Sequence, residues 1–154
     1  MTKKAQASLE YMSMVALSLL VIASVLYVIT TFITTSKTQV NILGADAAVN
    51  DMKKAANFIY ISGHPSRIEK SIVIPRGVHS IIIQDHLILI RMEVASPATG
   101  AASYTDVYAI TKGNLTVYGD ICRNNICNPG TYKFVFKSVD PNLGSGYDVN
   151  ITRI

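Results

Sequence analysis

Few residues in this 154-residue chain have types and spacings that could do chemistry. Cys122 and Cys127 flank Arg-Asn-Asn-Ile, where Asn124-Asn125 suits a turn, so the two thiols can reach bridging distance in an oxidising compartment. A disulfide is favoured over a redox pair, because C-x4-C is not C-x-x-C. It is also favoured over zinc, which needs two further ligands where only the scattered His64, His79 and His86 remain. Asn114-Leu115-Thr116 and Asn150-Ile151-Thr152 match the N-x-[ST] acceptor pattern, which makes Asn114 and Asn150 candidate N-glycosylation sites on an outward-facing domain. The stretch Asp140–Asp148 spaces several oxygen ligands but lacks the closing glutamate of a calcium loop, so a Pro/Gly turn explains it better. There is no Ser/His/Asp ordering, phosphate loop or pair of acids. The expectation is a protein with no catalytic residues, no metal and no cofactor, and therefore not an enzyme.

Glu10 is the residue that most needs an explanation. It stands directly before Tyr11–Ser36, 26 consecutive residues without Asp, Glu, Lys, Arg or His. A carboxylate inside an apolar helix costs a few kcal/mol in a membrane unless it has a partner. Either it sits at the interface, where water and the helix dipole favour a negative charge in the first turn, or something positive meets it.

The elements that must position these residues differ along the chain. At about 1.5 Å per residue, about 20 apolar residues cross a bilayer core of roughly 30 Å, and this segment is longer. It also outruns the roughly 7 to 15 residues of a secretory signal core, and no A-x-A cleavage site follows it. Lys3 and Lys4 hold the N-terminal side in the cytoplasm, which sends the remainder outward. A net charge of +4, scattered and without a basic tract, is too small to suggest a nucleic-acid partner, and none is expected.

No proline occurs before Pro65, and only Gly44 and Gly63 interrupt the first 64 residues, so one helix is expected from about Ala7 to Ile61. Its weakest point should be the threonine-rich stretch Thr30–Thr35, since β-branched residues form helix poorly outside an apolar setting. Its second half, 37–61, is amphipathic: Ile42, Ala45, Val49, Met52, Ala56 and Ile59 recur at spacings of 3 and 4 and form one stripe to pack on the following domain.

Residues 62–154 alternate short β-rich runs with turns. Strands are expected at Ser71–Pro75, Val78–Gln84, Leu87–Glu93, Asp106–Ile110, Leu115–Tyr118, Thr131–Val139 and Tyr147–Ile154. The turns fall at Pro75–Gly77, Gln84–His86, Lys112–Asn114 and Asn128–Gly130. Ser96–Ser103 reads as an extended loop. The expected fold class is α+β: one long helix, apolar then amphipathic, followed by an antiparallel β domain of about 90 residues whose marginal core the helix completes.

Gln6-Ala7-Ser8-Leu9-Glu10-Tyr11 resembles the Q-x-S-x-E-Y/F signature of archaeal type IV pilins, whose precursors carry class III signal peptides. The likeness takes in Lys3-Lys4, Ala5 and the apolar segment after the motif, with Met14 where the family commonly has leucine. It covers about the first 35 residues, and beyond them only the architecture is similar.

The resemblance implies that residues 1–5 are a leader removed by a prepilin peptidase between Ala5 and Gln6. Residues 6–36 would then span the membrane before assembly and form the filament core afterwards. It implies identical subunits in a helical homopolymer, a membrane assembly machinery and a role in adhesion at the cell surface. Within that polymer the new amine of Gln6 would meet Glu10 of a neighbouring subunit. The alternative is a single-pass membrane-anchored surface protein with a β-rich binding ectodomain, which leaves the Gln6–Tyr11 motif to chance.

Overall fold

The computed structural model describes residues 3–95, 102–119, 121–122, 127–140 and 146–154, the side chains of 3–9, 95 and 102 excepted. The described residues form one helix, α1 (Lys3–Ser62), and five strands: β1 (Arg67–Ile74), β2 (Val78–Ala95), β3 (Ala102–Val117), β4 (Gly130–Ser138) and β5 (Val149–Arg153). By its internal contacts it divides into two units, Met1–Lys37 and Thr38–Ile154.

In the first unit α1 begins at Lys3, four residues before the expected Ala7, and is helical through the threonine stretch. The threonines bond inward. Thr30 and Thr31 donate to the Tyr27 carbonyl at 2.9 Å, Thr34 to that of Thr30 at 2.9 Å and Thr35 to that of Thr31 at 3.1 Å. Each hydroxyl thus finds an acceptor on its own helix, so none needs water or a second chain to be satisfied.

In the second unit the helix lies on the sheet through Ala45, Ala48, Val49, Met52, Ala55, Ala56 and Ile59, all buried in one core. Four of the seven are alanines, which let the helix approach closely, and Gly44 extends that approach: a Cβ there would meet Pro75 Cβ at 3.2 Å. The helix ends at Gly63, whose φ of 68° permits the left-handed turn and whose N–H closes on the Ile59 carbonyl at 3.1 Å. Facing the helix are Ile72 and Ile74 of β1, Phe134 and Phe136 of β4, Val149 and Ile151 of β5, Leu115 of β3 and Ile88, Ile90 and Met92 of β2. They recur at every second position, the period of a strand with one covered face.

The sheet order is β1-β4-β5-β3-β2. It departs from the purely antiparallel expectation at one pair: β3 and β5 run parallel, with Leu115 opposite Val149 and Val117 opposite Ile151. The five-residue β5 fills the slot between β4 and β3, and its Val149 and Ile151 are fully buried there.

Strand boundaries also moved. β1 starts at Arg67 rather than Ser71, and the last strand spans Val149–Arg153 rather than Tyr147–Ile154. The runs Val78–Gln84 and Leu87–Glu93 form one extended element, yet the Glu93 N–H donates to the Gly77 carbonyl at 2.8 Å. A straight strand would hold those two residues roughly 50 Å apart at about 3.3 Å per residue, so β2 doubles back on itself. Asp85, with φ 48°, and the register shift between Asp85 and Leu87 mark the reversal within the expected Gln84–His86 turn.

The other expected turn, Lys112–Asn114, does not reverse the chain. β3 continues through it as a bulge: Ile110 pairs with Leu87 and Leu115 with Asp85, leaving extra residues on β3. The bulge has partners on three sides. Thr111 Oγ1 donates to the His86 and Gly113 carbonyls, the Lys112 N–H to Asn57 Oδ1 of the helix at 2.9 Å, and the Asn114 N–H to Asp148 Oδ2 at 2.7 Å. Gly113 allows this closeness, because a Cβ would lie 2.6 Å from Tyr60 Cδ2 and 3.2 Å from Asp148 Cβ. Gly113→Ala is expected to lower stability by about 1–3 kcal/mol through overpacking, read as a lower thermal midpoint with the unfolding slope in denaturant unchanged.

Candidate functional site

The largest chemically uniform surface belongs to the first unit. Every described side chain from Glu10 to Thr35 is exposed, large apolar ones included, with Tyr11 at 72%, Leu20 at 71% and Phe32 at 71%. The helix is long and apolar enough to cross a membrane. Soluble proteins rarely leave so much contiguous apolar surface without a partner or a lipid phase.

Small residues gather on one side of that surface. At about 100° per residue, Ser13, Ala16, Ala23, Ser24, Thr31 and Thr34 fall together, adjoining Glu10, with Leu20 and Tyr27 among them, while Val15, Leu19, Ile22, Leu26, Ile29 and Ile33 form a stripe of large apolar residues about 130° away. Reading the segment as evenly apolar misses this bias, which plotting residue size against helical angle would have found. The hydroxyls make no demand on their surroundings: Ser13, Ser18 and Ser24 donate to the carbonyls of Glu10, Val15 and Val21 at 2.7–2.8 Å, as the threonines do further on.

Glu10 is exposed at the head of this segment, and among the described side chains the next charged one on α1 is Lys37. Among the described residues, no hydrogen bond or ion pair engages the Glu10 carboxylate. Ala5 and Gln6, the expected processing site, belong to α1 by their backbone, and their side chains lie outside the described residues.

The remaining candidates lie in the second unit. Cys122 and Cys127 form a disulfide with a Cα–Cα distance of 4.8 Å, and both are buried in the core. The intervening Asn124-Asn125 turn is outside the described residues. The segment is tied to the sheet: the Arg153 guanidinium donates to the Ile121 carbonyl and stands 4.8 Å over the Tyr132 ring, and the Tyr132 hydroxyl donates to the Asn128 carbonyl at 2.9 Å. Replacing both cysteines by serine is expected to cost roughly 2 kcal/mol for so short a loop. Thermal unfolding with and without reductant checks this: the wild-type midpoint should fall to that of the double variant.

Asn114 works as a clasp. Its Nδ2 donates to the Gly146 carbonyl at 2.7 Å, and its carbonyl accepts from the Asp148 N–H at 2.8 Å. The nitrogen that would carry a glycan is therefore engaged in the folded chain. Asn150 lies in β5, and the side-chain oxygens of both asparagines are buried without a hydrogen-bond partner among the described residues.

Ser138, His64 and Asp148 border one cleft of about 140 Å³. Ser138 Oγ, 3.4 Å from His64 Nδ1, accepts from the Ser66 N–H at 2.8 Å and donates to the Ser66 carbonyl, and Asp148 holds the Asn114 backbone. These groups are committed to holding β1, β4 and the β3 bulge in place. His79 lies against the Tyr104 ring at 5.1 Å. Most of the Asp140–Asp148 stretch and of the Ser96–Ser103 loop lies outside the described residues. Among the described residues no three His, Cys, Asp or Glu side chains gather as metal ligands would.

On the open face of β2 and β3, Arg91 makes a bidentate pair with Asp106 at 2.8 Å, across a directly paired register position. The hydrogen bond from Arg91 holds the Asp106 carboxyl below its usual range, and the same bond raises Arg91. Both are exposed, so the pair acts as a cross-strand contact rather than a reactive centre.

Comparison of the chain with protein families, curated proteins and solved structures gives no match. The functional assignment therefore rests on α1 and on the residues at its head.

Proposed function

We propose that the chain is the structural subunit of an extracellular filament of the type IV pilus kind, assembled through α1 and carrying its β domain on the outside. The observation that carries the reading is the exposure of every described side chain from Glu10 to Thr35 on a helix without a charge between Glu10 and Lys37. A membrane covers such a surface before assembly, and neighbouring subunits cover it afterwards. The resemblance of Gln6–Tyr11 to the archaeal pilin signature supplies the route. A prepilin peptidase cuts between Ala5 and Gln6 and removes Lys3 and Lys4. The basic count falls from 14 to 12 against 10 acidic residues, and the charges that held the N-terminus at the cytoplasmic face go with the leader.

Glu10 then acquires a task. The α-amino group freed at Gln6 is positive near neutral pH, with an unperturbed pKa of about 7.7 to 8.0. It meets the Glu10 carboxylate of a neighbouring subunit, which neutralises a charge that would be costly in an apolar bundle and selects one axial register.

N-terminal peptide mass spectrometry on protein sheared from the cell surface tests this. A chain that begins at Gln6 with its apolar segment intact is expected. A chain that keeps Met1 or Thr2 and is found only in membranes would instead establish the single-pass anchored protein, whose β domain binds a partner as a monomer.

A further inference from the structure

The first part of β3 is an open edge of the sheet. β5 meets β3 only at Leu115–Val117, so residues 102–110 pair with β2 alone, from Ala102 opposite Ala95 to Ile110 opposite Leu87. Among the described residues no strand lies beyond them, and their outward N–H and C=O groups form a row that another strand could pair with. Ser103, Tyr104, Thr105 and Asp106 are all exposed, on both faces, as are Tyr108 and Ile110. The other edge strand, β1, carries Arg67, Glu69 and Lys70, the kind of charges that keep foreign strands off an edge. Ser103–Ile110 has no lysine, arginine, proline or glycine, and its one charge, Asp106, is already held by Arg91. Tyr104, Tyr108 and Ile110, exposed at 51%, 63% and 62%, alternate with it on one face. A β-prone, nearly uncharged run without proline is the composition of a strand that adds to another strand.

We infer that this edge pairs antiparallel with the same edge of a second copy, so that two β domains share one continuous sheet. Self-complementarity selects that occupant. Residues that meet across the contact must lie on the same face of the sheet, which restricts the register. With the two-fold axis at Val107, Asp106 stands opposite Tyr108 and Tyr104 opposite Ile110. A phenol donor then adjoins a carboxylate, and a ring adjoins an aliphatic chain, twice in each contact. Moving the axis to Asp106 would set like charges face to face. The axis is perpendicular to the shared sheet, so it reverses every direction within it, including that of the second half of α1, which packs on the sheet. An isologous contact of this kind closes on itself and cannot extend a filament. In the filament reading, on which this consequence alone rests, all helices of one filament point the same way. The contact therefore ties two filaments that run in opposite directions side by side.

Two measurements separate the contact from its consequence. The full chain with both Tyr104→Cys and Ile110→Cys, purified in detergent, is oxidised mildly beside each single variant. Opposed residues of an antiparallel pair lie within disulfide reach, so the double variant should give a covalent dimer that peptide mass spectrometry maps to residues 104 and 110. The single variants should stay monomeric, because each cysteine lies roughly 20 Å from its own counterpart in this register, six residues along the strand. No dimer from the double variant, or as much from the single ones, overturns the inference and leaves the edge to some other partner. In filaments sheared from cells, electron microscopy should show wild-type filaments paired laterally. Tyr108→Glu sets a carboxylate opposite Asp106 twice in each contact and should lower the paired fraction by about threefold or more, with the thermal midpoint unchanged. Val73→Glu, an exposed position on β1, should leave pairing as it is. Wild-type filaments that never pair, or pairing that Tyr108→Glu leaves intact, overturn the tie between filaments. Wild type that forms no filament defeats the filament reading, while the cross-link still decides the contact.

Discussion

Glu10→Gln chains should reach the membrane, lose residues 1–5 and then fail to enter filaments, with the sheared fraction falling at least about tenfold. The amide keeps the shape of the carboxylate and most of its hydrogen-bonding capacity, so packing along α1 is preserved. What disappears is the charge that the proposed assembly sets against the amine of Gln6. A charge-assisted hydrogen bond contributes about 1.5–3 kcal/mol, and its loss leaves the amine as an uncompensated positive charge in an apolar bundle. The penalty recurs at every subunit added, so elongation suffers more than any single contact suggests. Glu10→Asp retains the charge with one methylene less reach and should assemble partially. Filament length and yield are the readouts, with N-terminal sequencing to show that cleavage is intact. Glu10→Gln filaments of normal length and yield would remove the carboxylate from the mechanism.

The second large effect concerns the β domain. Phe136→Ala is expected to destabilise it by about 3–5 kcal/mol, a large part of the 5–15 kcal/mol typical of a domain. Phe136 is 0% exposed on β4, paired with Ile68 and Ile151, both of which belong to the core region. Truncation there opens a void that the helix and sheet cannot close without moving each other. Denaturant unfolding of the full chain in detergent, followed by near-ultraviolet circular dichroism with the disulfide intact, checks the size of the loss. Phe58→Ala serves as the contrast. Its ring is more than half exposed, so stability should change by less than about 0.5 kcal/mol. Matching losses of stability in the two variants would mean that Phe58 packs within the subunit.

The helix was legible because an absence announces it: no proline before Pro65 and one internal glycine, Gly44, used for close packing against Pro75. The stripe from Ala45 to Ile59 was legible because helical spacing and burial coincide there. The β3–β5 parallel pair was not, since nothing local to Val149–Arg153 records which neighbours it lies between. Lys112-Gly113-Asn114 misled because its composition is that of a turn, while its glycine serves a close approach to Tyr60 and its asparagine a clasp on the Gly146–Asp148 segment. At the head of α1 the motif residues could be read, but the partner proposed for them belongs to another chain.

The serine and threonine hydroxyls from Ser13 to Thr35 that bond to the helix's own carbonyls have a consequence for how a subunit of the proposed filament would change phase. An apolar helix with free hydroxyls would gain hydrogen bonds in one medium and lose them in the other, and would be trapped in the better of the two. Here those bonds travel with the chain, so moving from lipid into a bundle of like helices exchanges one apolar neighbour for another at nearly constant polarity. The partition is thereby left to shape-matched packing along the helix and to the charges at its two ends. Such a balance can be tipped in either direction, which is what the proposed filament would require of the segment.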